Sequence, residues 1–347
     1  GAVGSRRRNR HHTAGAGRVG EDGAVGRRIG ARPTRQPASN PDTKLMSVVF
    51  RAMSTDVTVL APTLSADEER RLGRQVAELF EASERRFSRF RSESELSRLN
   101  RSGRLAPASA PFLAALARAD RFVRLSGGLF NPTVGTALLA AGYDRSFESG
   151  SWERTSMPKA WQVVVPFESV AVDGVRRTVT LPPGVALDFG GFVKGWTVDQ
   201  AARQLPPNAA IDAGGDALLR GAGPDGRGWI VDIEDPADAA REVMTLRVRD
   251  RAVATSAPNR RRWRTAHGEM HHLIDPRTGR PAESDLAQVT VLGDTVETAE
   301  VLAKTAFFLG ARDGCDLLSR QRGVAAVLVH AAGRVEVVGN VEEDRAA

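Results

Sequence analysis

The residues with chemistry to offer gather around one short stretch, LDFGGFVKGWTVD over 187–199, where Asp188 precedes Gly190-Gly191 and Lys194 follows them. A glycine turn that opens a helix leaves N–H groups unpaired and aimed outward, and anions bind there. Taken alone the pattern describes a tight strand-to-helix turn with a surface ion pair. Composition shifts that reading. Of 49 Lys+Arg residues only Lys44, Lys159, Lys194 and Lys304 are lysine, so arginine supplies the ordinary surface charge. A lysine inside a glycine turn then reads as a compact phosphate-binding ammonium. Further on, Glu300 and Lys304 stand four apart, which by itself describes an exposed helical ion pair worth about 0.2–0.5 kcal/mol. His271-His272 with Asp275 suggests a metal site, but neighbours in a strand point to opposite faces. One packed and one solvated histidine is the expectation.

These groups need elements to hold them. Residues 47–60 alternate like a strand, interrupted at Met53-Ser54-Thr55. Ser65 and Glu68 form a capping box ahead of a long helix with Leu72, Val76, Leu79, Phe80 and Phe87 on one face. The following RFSRFRSESELSRLN alternates serine with charge, and composition favours a solvated loop. A second helix is expected over 115–125, stopped by Gly127-Gly128. Pro132 and Gly135 fix a turn, and 161–165, 169–172 and 178–181 read as a meander with Asp173-Gly174 as a hairpin turn. Ala186 and Leu187 read as the end of a strand, with the glycines freeing the backbone for conformations closed to other residues. A helical pattern follows through Leu205. Strands are expected over 229–233, 243–248, 252–255 and 287–292, then a helix over 297–309, a shorter one from Ala311, and a closing hairpin over 323–338. Strands and helices come in clusters, so the fold class is α+β, built of mixed antiparallel sheets and helices.

At 347 residues the chain can bury a substantial core. Its net charge of +7 resides wholly in residues 1–45, which hold ten Lys/Arg against three Asp/Glu; the rest carries 39 of each sign. A neutral folded part excludes a nucleic-acid groove. The Gly- and Arg-rich tail cannot bury enough apolar surface to fold alone, so 1–45 is expected to be a disordered basic tail and 46–340 the catalytic domain. The tail lacks an apolar signal-type segment, and Cys315 is the one cysteine, which excludes an intrachain disulfide. With no membrane segment and no anchor in the sequence, a cytoplasmic location is expected.

Six motifs in order, SELSRLN, GLFNPTVG, LDFGGFVKGWTVD, DAGGD, VATS and HLIDPRTGRP, resemble the ApbE family of FAD:protein FMN transferases over about 53–310 and onward to the closing hairpin. The resemblance implies a tunnelling-fold-like α+β domain that binds FAD between its halves. It implies cleavage of the FAD pyrophosphate, attachment of FMN by a phosphoester bond to a threonine or serine hydroxyl of an acceptor flavoprotein, release of AMP, and use of magnesium. Carried over by residue, it places Met53, Ser54, Thr55, Phe90, Asn100, Asn131, Thr133, Gly190, Gly191, Asp216, Ser256 and Thr278 at the flavin nucleotide. Ser54 stands for the family's glycine, Phe90 for a tyrosine, Asn131 for an aspartate, and Asp212 for the asparagine of N-x-G-G-D. Asp188, Lys194, His272, Asp275 and Lys304 are the candidate catalytic residues.

One departure concerns the metal. Relatives read D-A-L-A-T-A in the last helix, with the aspartate and the threonine as cation ligands beside a backbone carbonyl of the central turn. Here the acid is Glu300, the carbonyl is assigned to Val193, and the second ligand has become Lys304, whose ammonium has no lone pair to give. Thr305 is one residue out of register. The hypothesis is that the Lys304 ammonium replaces the metal's charge, which sets magnesium dependence in question.

Transfer to a hydroxyl needs a proton acceptor, and Asp188, Asp275 and His272 stay open as candidates. Two other readings use the same site: an FAD pyrophosphatase giving FMN and AMP, and a non-catalytic FAD-binding protein. The family-type acceptor motif, S/T-G-A-T/S, does not occur in this sequence, so a transferase acts on another protein. The RRRWR run at 260–264 reads as basic surface that could steer an anionic dinucleotide.

Overall fold

The computed structural model describes residues 47–146, 161, 164–265 and 268–341. The basic tail expected over 1–45 lies outside them, as do Met46 and the middle of the strand expected over 161–165. Eight strands form the main sheet: β1 Val48–Ala52, β2 Thr55–Leu60, β3 Ala209–Ala213, β4 Ala217–Arg220, β5 Arg251–Ser256, β6 Leu286–Gly293, β7 Ala325–His330 and β8 Val335–Val338. Each pairs antiparallel with the next, so the sheet is one long meander with its insertions hung between strands.

Among the described residues six α-helices accompany it: α1 Ala66–Phe87, α2 Glu95–Ser102, α3 Ala110–Leu125, α4 Gly135–Ala140, α5 Val193–Ala202 and α6 Val296–Ser319. Alternation in the strands decides what covers each face. Val57, Val59 and Ile211 point to one side and pack with Leu72, Val76 and Phe80 of α1 and Val198 and Ala201 of α5. Leu60, Ala210, Leu219 and Val253 point to the other, where the hairpin Trp229–Glu234/Glu242–Val248 covers them with Trp229, Val231, Ile233 and Leu246. A separate aromatic core joins α2 and α3 to the central turn through Phe112, Phe122, Phe130, Phe189, Phe192 and Trp196.

The expected capping box of α1 is present, with Glu68 accepting from the Ser65 backbone N–H at 2.9 Å. The expected break before Ala311 is present too: α6 runs on past it, but Gly310 leaves helical geometry with φ 79°. Two local expectations are corrected. SELSRLN is not a loop but α2, because Ser94 Oγ accepts from the Ser97 N–H and Leu96 and Leu99 are wholly buried. Leu187 does not end a strand; it is extended backbone whose N–H and C=O are both taken by the side-chain amide of Asn100, at 2.8 Å each. One side chain does there what a neighbouring strand would do.

Candidate active site

The central turn needs its glycines for room rather than for left-handed backbone. Neither Gly190 nor Gly191 has positive φ. A Cβ on Gly191 would lie 2.9 Å from the Phe130 ring, and one on Gly190 would press on Asp188 Oδ1 at 3.0 Å. The N-terminus of α5 is likewise not left open for an anion. Val193 N–H donates to Phe189 O at 3.0 Å, and Gly195 N–H donates to Glu300 Oε2 at 3.0 Å. The carboxylate at the positive end of this helix is the protein's own. Gly195 permits this: a Cβ there would meet the Glu297 backbone N at 2.8 Å, so α5 and α6 touch main chain to main chain. Asp199 fixes the same crossing from α5, accepting from the Val296 and Glu297 N–H groups at 2.9 Å each.

The two lysines are thereby held among acids. Lys194 Nζ donates to Asp216 Oδ2 and to Ala213 O at 2.9 Å. Lys304 Nζ donates to Glu300 Oε1 at 3.0 Å and to Gly191 O at 3.1 Å. An ammonium has three donors, so each lysine is anchored by two and keeps one for the cavity that both line. Burial raises the Asp216 carboxyl despite Lys194 beside it. Burial works against the charge of Glu300 as well, but Lys304, Lys194 and the Gly195 N–H hold its carboxyl below the usual value. Asp212, whose Oδ1 accepts from Gly215 N–H at 2.8 Å, is pushed up to about 7, chiefly by burial.

Three cavities meet here. The largest, about 490 Å³, lies on the sheet side and is lined by Thr55, Asp212, Asp216, Ser256, His272 and Lys304 among others; its size is ordinary for a small-molecule site. A smaller one, about 100 Å³, holds Met53, Phe90, Tyr143 and Asp188, and a third, about 110 Å³, holds Asn131, Tyr143, His272 and Lys304. Gly190 and Arg261 line all three. Arg261 has no carboxylate partner among the described residues. At the aromatic end, Arg89 Nε pairs with Asp188 at 2.6 Å while its guanidinium carbon sits 4.2 Å from the Phe90 ring and 4.3 Å from the Tyr143 ring.

The three proton-acceptor candidates separate on this geometry. Asp188 is ion-paired with Arg89 and accepts from Gly190 N–H at 2.8 Å. Asp275 is buried, bound by the Arg277 guanidinium at 2.7 Å and by the Arg277 N–H, and lines none of the three cavities. His272 lines two of them, its Nδ1 is buried without a hydrogen-bond partner, and burial, then Arg261 and Lys304, hold its imidazole well below the ordinary value. Its surroundings thus favour the neutral imidazole. His271, beside it, is held by Ala282 O at 3.1 Å. Among the described residues no three His, Cys, Asp or Glu side chains are grouped to hold a metal.

Other expected site residues also hold the surrounding backbone in place. Asn100 holds Leu187, and Asn131 and Thr133 both bond Val165 O, at 3.0 and 2.6 Å. Thr278 caps the turn after Asp275 and lines no cavity. Met53 and Ser54 form the two-residue turn between β1 and β2, both in the left-handed region at φ 50° and 59°. The carbonyl beside Glu300 and Lys304 belongs to Gly191; that of Val193 accepts from Thr197 Oγ1 at 2.8 Å inside α5. Thr305 turns back onto Val301 O at 2.8 Å. Sequence reasoning passed over Arg89 and Tyr143 and took Arg261 only as part of the basic run at 260–264; the isolation of Tyr143 as the chain's single tyrosine was one available signal.

The donor set does not fit the divalent cation that the resemblance implies. Glu300 and the Gly191 carbonyl are suitable oxygens, but both are already engaged by an ammonium placed between them, and a charged amine cannot be a ligand.

Comparison with known proteins gives the family. The ApbE family matches residues 53–339. A FAD:protein FMN transferase of Treponema pallidum is 30% identical over 287 residues, 77% of this chain and 79% of its own. The ApbE protein of Thermotoga maritima superposes with a TM-score of 0.73 at 23% identity, covering 85% of this chain and 97% of its own. The flavin transferase ApbE of Vibrio cholerae does so with a TM-score of 0.69 at 24% identity, covering 86% and 97%. No helix among the described residues is long and apolar enough to cross a membrane. The chain belongs to the ApbE family.

Proposed function

We propose that this protein is an FAD:protein FMN transferase whose acceptor is a separate flavoprotein, and that residues 46–340 carry the activity. The observation that carries the reading is the meeting of a large cavity and two small ones, flanked by aromatic rings, at Gly190 and Arg261. A dinucleotide laid across that junction puts its ring system by Phe90 and Tyr143 and its pyrophosphate against Lys194, Lys304 and Arg261. Phosphoryl transfer asks for in-line positioning and neutralised phosphate charge rather than covalent help, and fixed ammonium and guanidinium groups supply both.

In the step, the acceptor hydroxyl oxygen bonds to the phosphorus of the FMN half as the bond from that phosphorus to the bridging oxygen breaks. AMP departs with that electron pair, and the hydroxyl proton passes to neutral His272. Lys194 and Lys304 each offer a free N–H to the charge that builds on the phosphate oxygens.

The test is incubation with FAD and a domain bearing an S/T-G-A-T/S acceptor motif. The expected result is an FMN mass increment on the acceptor with one AMP released per increment. AMP and free FMN with no labelled acceptor would make the protein a pyrophosphatase, and bound but uncleaved FAD would leave only a binder. Arg261→Ala is expected to raise KM for FAD at least tenfold.

A further inference from the structure

We propose that Lys304 is the resident cation of this site, so that the protein neither binds nor needs a divalent metal there. The inference rests on the transferase reading for its catalytic consequence, but not for its structural content.

The Lys304 ammonium donates to a buried carboxylate oxygen of Glu300 at 3.0 Å and to the Gly191 carbonyl at 3.1 Å. Those are the oxygen types that bind a hard cation, and here they converge on one nitrogen. The second Glu300 oxygen is no freer, since it accepts from the Gly195 N–H at 3.0 Å. Glu300 is 3% exposed, so no swing into solvent is open to it. Asp216, another acid of the cavity, is bound by Lys194. A divalent ion entering here would face two ammoniums and an arginine, with Glu300 and Asp216 already paired. The lysine stem packs against the turn, since a Cβ on Gly191 would lie 3.7 Å from Lys304 Cε. The charge is thus held in place by backbone, carboxylate and stem together. An ammonium differs from a metal ion in one further respect: its remaining N–H is directional and donates one hydrogen bond. It can therefore serve one phosphate oxygen, where a metal ion could bridge two.

The experiment has two readouts on the full chain. Mn2+ is titrated into the FAD-saturated protein and followed by electron paramagnetic resonance, and AMP release from FAD with the acceptor domain is measured in EDTA and in millimolar Mg2+. Wild type is expected to bind no Mn2+ below 1 mM and to release AMP within about twofold in the two buffers. Lys304→Thr supplies a neutral oxygen and frees Glu300; it is expected to bind Mn2+, to lose at least 100-fold in EDTA and to recover at least tenfold with Mg2+. Lys304→Met, with the stem kept and the charge removed, is expected to lose activity in both buffers while retaining the wild-type circular dichroism spectrum. Micromolar Mn2+ binding by wild type, or wild-type activity abolished by EDTA and restored by Mg2+, overturns the proposal. If no variant releases AMP at all, the transferase reading fails while the Mn2+ titration still decides whether the position belongs to the lysine.

Discussion

Asn100 holds Leu187 by both ends of its amide: Oδ1 accepts the Leu187 N–H and Nδ2 donates to the Leu187 C=O, each at 2.8 Å. The residue after Leu187 is Asp188, which reaches Arg89 and the turn glycine Gly190. A polar side chain 87 positions upstream thus sets where the central turn begins.

Asn100→Ala leaves two backbone groups of a buried residue unpaired, a loss of roughly 2–4 kcal/mol. The thermal midpoint should fall by several degrees, and FAD affinity should drop at least tenfold because Asp188 and Gly190 lose their fixed start. Asn100→Asp keeps the acceptor alone and should fall between the two. Thermal unfolding and flavin fluorescence titration measure both effects.

His272→Ala should lower kcat for FMN transfer by about 10²–10⁴ while leaving the Kd for FAD within about threefold. The imidazole is held well below its ordinary value by burial, Arg261 and Lys304. A base with a lowered value stays unprotonated into acid, so the wild-type rate should be flat from pH 6 to 8. A fall in rate below pH 7 that persists in Asp212→Asn would show that the imidazole is not held below its ordinary value, and a kcat for His272→Ala within threefold of wild type would reject His272 as the base.

Asp212 titrates at about 7 in the folded protein, from an ordinary value of 3.8. Its folded value is raised, so its contribution favours the folded state at low pH and is lost as pH rises from about 4 through 7. Asp212→Asn removes the charge while keeping the acceptor for Gly215 N–H. The variant should gain thermal stability over wild type at pH 8, and the gain should shrink towards pH 5. Melting curves at the two pH values give the comparison.

Gly195→Ala puts a methyl group 2.8 Å from the backbone of α6. The helices must part, and the Gly195 N–H to Glu300 bond must lengthen. The variant should lose about 1–3 kcal/mol in stability, as overpacked sites do, and transfer activity should fall further than stability alone explains. Denaturant melts beside AMP release separate the two losses.

What the sequence carried of this site follows the range of the forces involved. The capping box at Ser65, the break at Gly310 and the closing hairpin depend on residues a few positions apart, and they read directly. α2 did not, because its serines and charges are typical of loops and its stability comes from Leu96 and Leu99 entering a core supplied by α3 and the central turn. The glycine pair was legible as a requirement, but its reason was not: the obstacle is the Phe130 ring, 61 positions before Gly191. Lys304 was visible as a departure from a pattern, whereas its second partner, the Gly191 rather than the Val193 carbonyl, depends on how α6 crosses α5. Arg261 was hidden inside a basic run, since only the neighbouring strands decide which of its arginines faces the cavities.

The meander of the main sheet also has a bearing on synthesis. Every strand pairs with the one made before it, so the sheet can grow hairpin by hairpin as the chain leaves the ribosome. The site cannot. Arg89 and Asn100 come early, the central turn in the middle, and Glu300 and Lys304 close it only after more than a hundred further residues. A truncated or stalled chain could carry half the sheet and still leave Gly195 and Gly191 without their partners. Flavin nucleotide would then be captured only by molecules translated through α6, and binding of FAD would itself report that synthesis had passed Lys304.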